Sequence, residues 1–502
     1  MTAEVDDDAP SIGRDMRHGL VWSVLALVGS KLLGFVSILV LARLLAPDEF
    51  GTLAAVVTFL AFLQLGSDLG MQAAVVYEQE RGISHRVHVA FTLNIALVVV
   101  LTAVGLVLAG PIASFLGSPD AAGLFRLGML NLLLMGLGNV HDGLLLRDMA
   151  FSRRIRPQIA QSAVQAAVSI VLAVILRDAT ALVVGMLAGT AAWVAMQWRM
   201  TPFRPRLAFD RRIAREMIGY GGAAAVLEVT ALVATRADAV VIGNVLGSTA
   251  LGLYAMAFRL PELVLSNVTW TVSGVAFPAL ARQRARGLQD ATVQLCRYLS
   301  LYTLPVAALL MVLADPIVGT LFSDRWQAAA PLLVAVAAML AVQTLVFPLG
   351  DAAKALGHQR TMVAINLVHV PLLYGAMVLA SDSGLRAVAW AGTGVSLLHT
   401  AFYLVWIRSL TGVGPGALAA ALRAPVAIAL AAAAGAAAVR FPLADAPDPL
   451  LLALGLAAAL VAVVAVGRIV APGLPAELLG GRDPRSLLPG RWRAAASPGE
   501  PG

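Results

Sequence analysis

The sequence predicts an all-α polytopic membrane protein of about fourteen transmembrane helices, arranged as two similar six-helix halves plus two extra C-terminal helices. Three observations predict it. Hydrophobic residues make up 59% of the 502 and charged residues only 13%, against roughly 25% charged in a soluble protein, and mean hydropathy is +0.84. The apolar runs are long and unbroken rather than alternating with period two, which selects helices over a barrel. Basic residues fall almost wholly on alternate loops.

The first helical hairpin sets the pattern. From Gly19 to Gly70, two apolar runs flank the short turn Ala46-Pro47-Asp48-Glu49-Phe50-Gly51. Each run reaches the roughly 20 apolar residues that a bilayer requires. Each also carries a charge, Lys31 in the first and Asp68 in the second. A charge at membrane depth costs about 2.5–3.5 kcal/mol on insertion scales, so it faces a bundle interior or a wet cavity. A polar cavity inside a helical bundle suggests transport.

Along the chain, span cores fall at 19–45, 52–76, 87–109, 122–146, 158–177, 180–198, 218–246, 250–280, 295–322, 328–351, 361–380, 386–407, 418–439 and 449–471. Starting inside and alternating puts about 26 of the 36 basic residues on one side and about 4 on the other. The four are Arg177, Arg325, Arg386 and Arg440. This positive-inside asymmetry predicts that both termini are cytoplasmic. Residues 1–17 form a cytoplasmic tail with Asp6, Asp7 and Asp8, and the apolar run after Arg14 and Arg17 is too long for a cleaved signal peptide. An N-lobe covers 18–199, a basic linker 200–217, a C-lobe 218–410 and the last two spans 411–471. The Pro-, Gly- and Arg-rich tail 472–502 reads as disordered.

An internal repeat supports the two halves. VVIGNVLGSTALGLYAM (240–256) follows the layout of LVLARLLAPDEFGTLAA (39–55) at a shift of about 201 residues, matching Leu45 to Leu246, Gly51 to Gly252 and Ala54 to Ala255. The last two spans are Ala-, Val- and Leu-rich, with the nearly featureless AIALAAAAGAAAV (427–439), and are expected at the periphery.

Charge and motifs narrow the chemistry. The net charge of +7 follows from the arginine-rich loops, and no basic stripe is interleaved with aromatics, so nucleic-acid binding is not the reading. Cys296 is the lone cysteine, so no internal disulfide forms. No HExxH, GxSxG or Walker A pattern occurs, which argues against an enzyme and leaves an H⁺ or Na⁺ gradient or the membrane potential as the energy source. His85 and His88 read as a loop pair, and His141, His369 and His399 as scattered single residues, so no metal site or cofactor is expected.

Candidate site residues are charges within spans. Ser23, Ser30, Gly34 and Ser37 form a small-polar stripe on the first span, flanked by Lys31. Lys31 either meets an anion or pairs with a neighbouring acid. Gln64, Asp68 and Gln72 share a face of the second span, so Asp68 is a coupling-ion candidate or a structural partner of Lys31. The seventh span offers Glu228, Arg236 and Asp238. Arg236 is the best candidate for a phosphate contact, since a guanidinium donates in bidentate fashion, with an internal salt bridge as the alternative reading. Glu228 and Asp238 join Asp68 as coupling-ion candidates. Arg259 and Glu262, three apart, either pair or leave Arg259 for substrate. Arg126 and Arg297 lie near a membrane surface, and Arg43 can snorkel.

Several segments together resemble a known family. LARLLAPDEFG and DLGMQAAVV (68–76) resemble the start of the polysaccharide-transport family of lipid-linked oligosaccharide flippases (Wzx-like). RDMAFSRR (147–154), DAVVIGNVLGSTALGLYAMAFRLPEL (238–263), FPALAR (277–282), DRWQAAAPLL (324–333) and KALGHQR (354–360) follow in order, covering about residues 15–410. The resemblance implies the fold of the multidrug/oligosaccharidyl-lipid/polysaccharide exporter superfamily: two six-helix lobes around a central cavity, often with two extra helices. It implies transfer of undecaprenyl-diphosphate-linked sugar units from the inner to the outer leaflet of a bacterial inner membrane. The partners it implies are a glycosyltransferase upstream and a polymerase downstream, the transporter itself being expected as a monomer. No compact catalytic signature carries over, so placing Lys31, Arg236, Arg259 and Arg126 as substrate contacts remains a reading of charge.

Rival functions make different demands. A multidrug exporter of organic cations needs acids to dominate its cavity, whereas this chain offers Lys31 and Arg236 as well. A lipid II flippase would use the same kind of cavity. A polymerase or ligase needs long outer loops, which the hydropathy leaves no room for, and the buried charges argue against a passive scaffold.

Overall fold

The computed structural model describes residues 29–68, 85–148, 151–282 and 287–470. Among these are fifteen α-helices and no strand. They are α1 (29–44), α2 (Pro47–Asp68), α3 (His85–Phe115), α4 (Ala122–Arg147), α5 (Phe151–Leu176), α6 (Thr180–Met200) and α7 (Arg211–Pro261). Then come α8 (Asn267–Arg282), α9 (Leu288–Val312), α10 (Ala314–Leu321), α11 (Ala330–Ala355), α12 (Gln359–Ala380), α13 (Leu385–Thr411), α14 (Pro415–Arg440) and α15 (Asp448–Val470).

Eleven stretches among the described residues are long and apolar enough to cross a membrane. The chain is a multi-pass membrane protein. Eleven is fewer than the fourteen expected. The first two expected spans are not among the eleven. The seventh and eighth are joined in the single stretch Leu232–Gly274. The N-terminal tail 1–17, Ser23, Gln72 and the C-terminal tail 472–502 lie outside the described residues.

α7 begins at Arg211, seven residues before the expected span. Asp210 supplies its N-cap: one carboxylate oxygen accepts the backbone N–H of Arg212 at 2.8 Å and of Ile213 at 3.1 Å. These bonds hold the Asp210 carboxyl below the usual carboxylate range. α7 then breaks at Gly247, whose φ of 83° and ψ of −179° suit glycine and few other residues. The break divides it into arms 211–246 and 248–261, the two helices that the repeat implied. The expected ninth span is likewise two helices, α9 and α10, with Leu313 between them.

The chain forms two compact units. The first holds residues up to Leu263, Val318–Met339 and Gly357–His399; the second holds Val264–Ile317, Leu340–Leu356 and residues from Thr400 on. Within the second unit, α14 packs between α9 and α15. Its Ala-rich run is a packing face: Ala432 and Ala436 are fully buried, Gly435 lies against the backbone at Ala458, and Gly455 of α15 lies against Leu313. Arg440, at the end of α14, donates to the Asp315 carboxylate and the Val312 carbonyl.

Candidate functional site

The two repeated hairpins meet inside the first unit. Gly51 of α2 lies against the Ser248 carbonyl, and Gly252 lies against the Pro47 carbonyl. A methyl group at either glycine would overlap the facing backbone. Pro47 and Ser248 are related by the same 201-residue shift that relates Gly51 to Gly252. The contact is therefore reciprocal about a local two-fold, as in an isologous interface. Small residues four apart on both helices are what allow two backbones to touch.

Each hairpin is also held by the short segment that leads into the fourth helix of the other half. Trp326, fully buried, donates its indole N–H to the Ala42 carbonyl at 2.7 Å and meets the Phe50 ring edge-on at 5.1 Å. On the matching side, the Asn244 amide donates to the Phe115 carbonyl at 2.8 Å, and Gly117 lies against Gly243 and Gly247. Glu49 accepts the Ala179 N–H at 2.5 Å; burial raises its carboxyl above the usual range, partly opposed by that bond. Turns at 45–46, 116–121, 177–179, 247 and 323–329 thus contribute to one end of this unit.

The candidate charges fall as follows. Lys31 is exposed on α1. Ser30, Ser37, Leu41 and Ala42 are buried on that helix, while Leu32, Leu33, Val36 and Val40 are exposed. At 100° per residue Lys31 lies beside the buried face, away from the exposed apolar one. Ser30 and Ser37 of the predicted stripe are thus packed rather than open. Arg236 is half-buried on the first arm of α7. Arg259 pairs with Glu262 at 3.5 Å, the pairing that their spacing allowed. Arg126 is exposed on the same face of α4 as Leu130. Asp238 is tied across the α7 break: the Tyr254 hydroxyl donates to it at 2.9 Å, and the Ala239 N–H at 2.7 Å. The side chains of Asp68 and Glu228 lie outside the described ones.

Four polar clusters were not foreseen. Asp142 on α4 accepts two bonds from the Arg154 guanidinium, at 2.9 and 2.7 Å, and a third from Gln197 of α6 at 3.1 Å. Next to it, His141 stacks on Trp198 at 5.0 Å and meets Phe203 at 5.2 Å. In the second unit, buried Asp351 accepts from Ser273 and, at 3.3 Å, from Lys354. His369 of α12 and His399 of α13, read as isolated, have ring centroids 4.2 Å apart. The one available signal for Asp142 and Asp351 was a carboxylate within an otherwise apolar run. His88 sits in the first turns of α3 rather than on a loop, and its ring accepts the Arg206 N–H at 3.0 Å.

Residues 40–331 match the model of a family described as polysaccharide biosynthesis protein. The chain belongs to this family. It is 26% identical, over 78% of each chain, to the succinoglycan biosynthesis transport protein ExoT of Rhizobium meliloti (strain 1021). It is 23% identical to the lipopolysaccharide biosynthesis protein WzxC of Escherichia coli (strain K12), over 78% of this chain and 81% of that one. Among solved structures, the inward closed conformation of the lipid II flippase MurJ superposes with a TM-score of 0.76 at 12% identity, covering 90% of this chain and 99% of that one. The fold is that of the Wzx-like and MurJ-like transporters, and the family reading of the sequence holds.

Proposed function

We propose that this family member flips undecaprenyl-diphosphate-linked oligosaccharide units from the inner to the outer leaflet of a bacterial inner membrane, by alternating access. The observation that carries the reading is the family match over residues 40–331. The transporter named for succinoglycan biosynthesis aligns over 78% of its own length, which supports it. Physical chemistry supports it as well. Each sugar hydroxyl moved into hydrocarbon costs about 4–8 kcal/mol on a cyclohexane scale, so an oligosaccharide does not cross unaided. A wet cavity removes that cost while the lipid tail stays in the bilayer.

In this reading the N-lobe 18–199 and C-lobe 218–410 rock about the glycine crossing, with the turn end facing outward and both termini facing the cytoplasm. Arg236 and Lys31, with Arg259 and Arg126 in secondary roles, hold the diphosphate on its way. An inside-negative potential favours each negative charge moving outward by about 2.3 kcal/mol per 100 mV. H⁺ or Na⁺ returning through Asp68, Glu228 or Asp238 resets the carrier. The transporter works as a monomer between a glycosyltransferase and a polymerase.

A leaflet assay tests this. Deleting the gene is expected to trap lipid-linked repeat units on the cytoplasmic leaflet, and the intact gene to release them. Lys31→Ala and Arg236→Ala are each expected to slow release; normal export in both removes the proposed site. Unchanged leaflet distribution in the deletion strain removes the function.

A further inference from the structure

The linker between the two halves presents an open surface of its own. Residues 201–210 run extended along the start of α3. The Arg206 N–H donates to the His88 ring at 3.0 Å and the Ala208 N–H to the Thr92 hydroxyl at 2.9 Å. Two extended residues advance about 6.6 Å and four helical residues about 6 Å, so linker and helix keep step. Behind them Phe203 is fully buried among Val87, Ala90, Phe91, Val140 and Met217. Arg204 closes the end of α6 by donating to the carbonyls of Trp198, Thr201 and Phe203. The linker is therefore fixed, not a loose hinge.

On this fixed linker the alternate side chains Leu207 and Phe209 point outward, 81% and 69% exposed. Fixed apolar side chains left that open mark an interaction surface. Farther along α3, about 10 Å beyond Thr92 by helical rise, Val99 and Val100 are exposed at 51% and 57%. Immediately after the linker, Arg211, Arg212, Arg215 and Glu216 line an open depression. Glu216 is shared by Arg86 at 3.1 Å and Arg212 at 3.3 Å. Among the described residues, Arg211 and Arg215 have no carboxylate partner.

We propose that the linker is a lipid-docking surface: Leu207 and Phe209 enter the cytoplasmic leaflet, and Arg211 and Arg215 bind the phosphate of an anionic phospholipid. Apolar side chains flanked by unpaired arginines match a phospholipid, apolar below and negative at its head, better than they match a soluble protein. The flippase reading enters only in naming the leaflet.

The test uses the full-length chain in vesicles. Leu207→Cys is labelled with a fluorophore, since the lone native Cys296 is fully buried. Quenching is compared between brominated phosphatidylglycerol and brominated phosphatidylcholine. The expected result is strong quenching by lipid, weak quenching by a water-soluble quencher, and a preference for phosphatidylglycerol. Arg211→Gln and Arg215→Gln should each lower that preference about fivefold, the effect of one basic residue near a charged membrane. Phe209→Cys, labelled in the same way, should repeat the pattern. A label that reports water in both vesicles overturns the proposal. So does equal quenching by the two lipids, or a preference that survives both arginine substitutions.

Discussion

The two ends of the first unit are closed in opposite ways. At the turn end, α2 and the second arm of α7 touch backbone to backbone through Gly51 and Gly252, with no side chain between them. At the arginine-rich end, about 30 Å along α4 by helical rise, Asp142, Arg154 and Gln197 join three helices through charged and amide side chains. A backbone seam has one geometry and loses its contacts as soon as it shifts. Side-chain bonds can lengthen, rotate or exchange with water. The turn end is therefore built to be shut or open, and the arginine-rich end to yield gradually.

Four experiments test that contrast. The largest effect is expected from Gly252→Leu. Overpacking costs about 1–3 kcal/mol in ordinary cores, and here the obstacle is backbone. With Ala55→Cys as reporter, fully buried in the parent, an impermeant thiol reagent should react about tenfold faster or more, as about 1.4 kcal/mol of opening requires. Unchanged reactivity would mean that the seam tolerates bulk. Next, Arg154→Ala removes the bidentate guanidinium from the nearly buried Asp142 carboxylate. A loss of roughly 3 kcal/mol is expected in denaturant unfolding, and Arg154→Lys should recover only part because it cannot bond side-on. A double-mutant cycle with Asp142→Asn should show coupling; additive losses would remove the network from the account.

Trp326→Phe keeps a ring against Phe50 but removes the bond to the Ala42 carbonyl. A loss of about 1 kcal/mol is expected in the same unfolding measurement; an unaltered midpoint would mean that the ring alone holds the first hairpin. The smallest effect concerns the linker boundary. The folded-state Asp210 carboxyl is depressed by its two backbone bonds, so its contribution is present above the ordinary aspartate pKa and fades as pH falls through the lower folded value. Hydrogen exchange at the Arg212 and Ile213 amides, corrected for intrinsic rates, should rise across that acidic window. Asp210→Asn, which caps without titrating, should flatten the response.

Much of the architecture was legible in the order of residues because membrane helices obey a local rule: an apolar run of sufficient length needs no distant partner to be recognised. The paired hairpins were legible too, through Leu45 and Leu246 or Gly51 and Gly252, because a duplicated segment keeps its spacing. That these glycines touch one another was not legible, since no local pattern records which surfaces face across 201 residues. The same limit hid the His369–His399 pair and the docking of Trp326. Asp142 and Asp351 were missed for another reason. They lie near the ends of apolar runs, where a carboxylate is easily read as belonging to the adjoining loop. The early start of α7 was readable in principle, from Asp210 standing just before the run of arginines.

The reciprocity of the crossing sets how it can move. Sliding α2 by one residue along its partner carries Gly51 off the Ser248 carbonyl and, in the same stroke, Gly252 off the Pro47 carbonyl. Neither half of the clasp can be released while the other stays fastened, so intermediate gaps have nothing to rest on. In the flipping cycle proposed above, the crossing is a latch that springs or holds, and the waiting time before it springs becomes a property of two hydrogen-sized side chains.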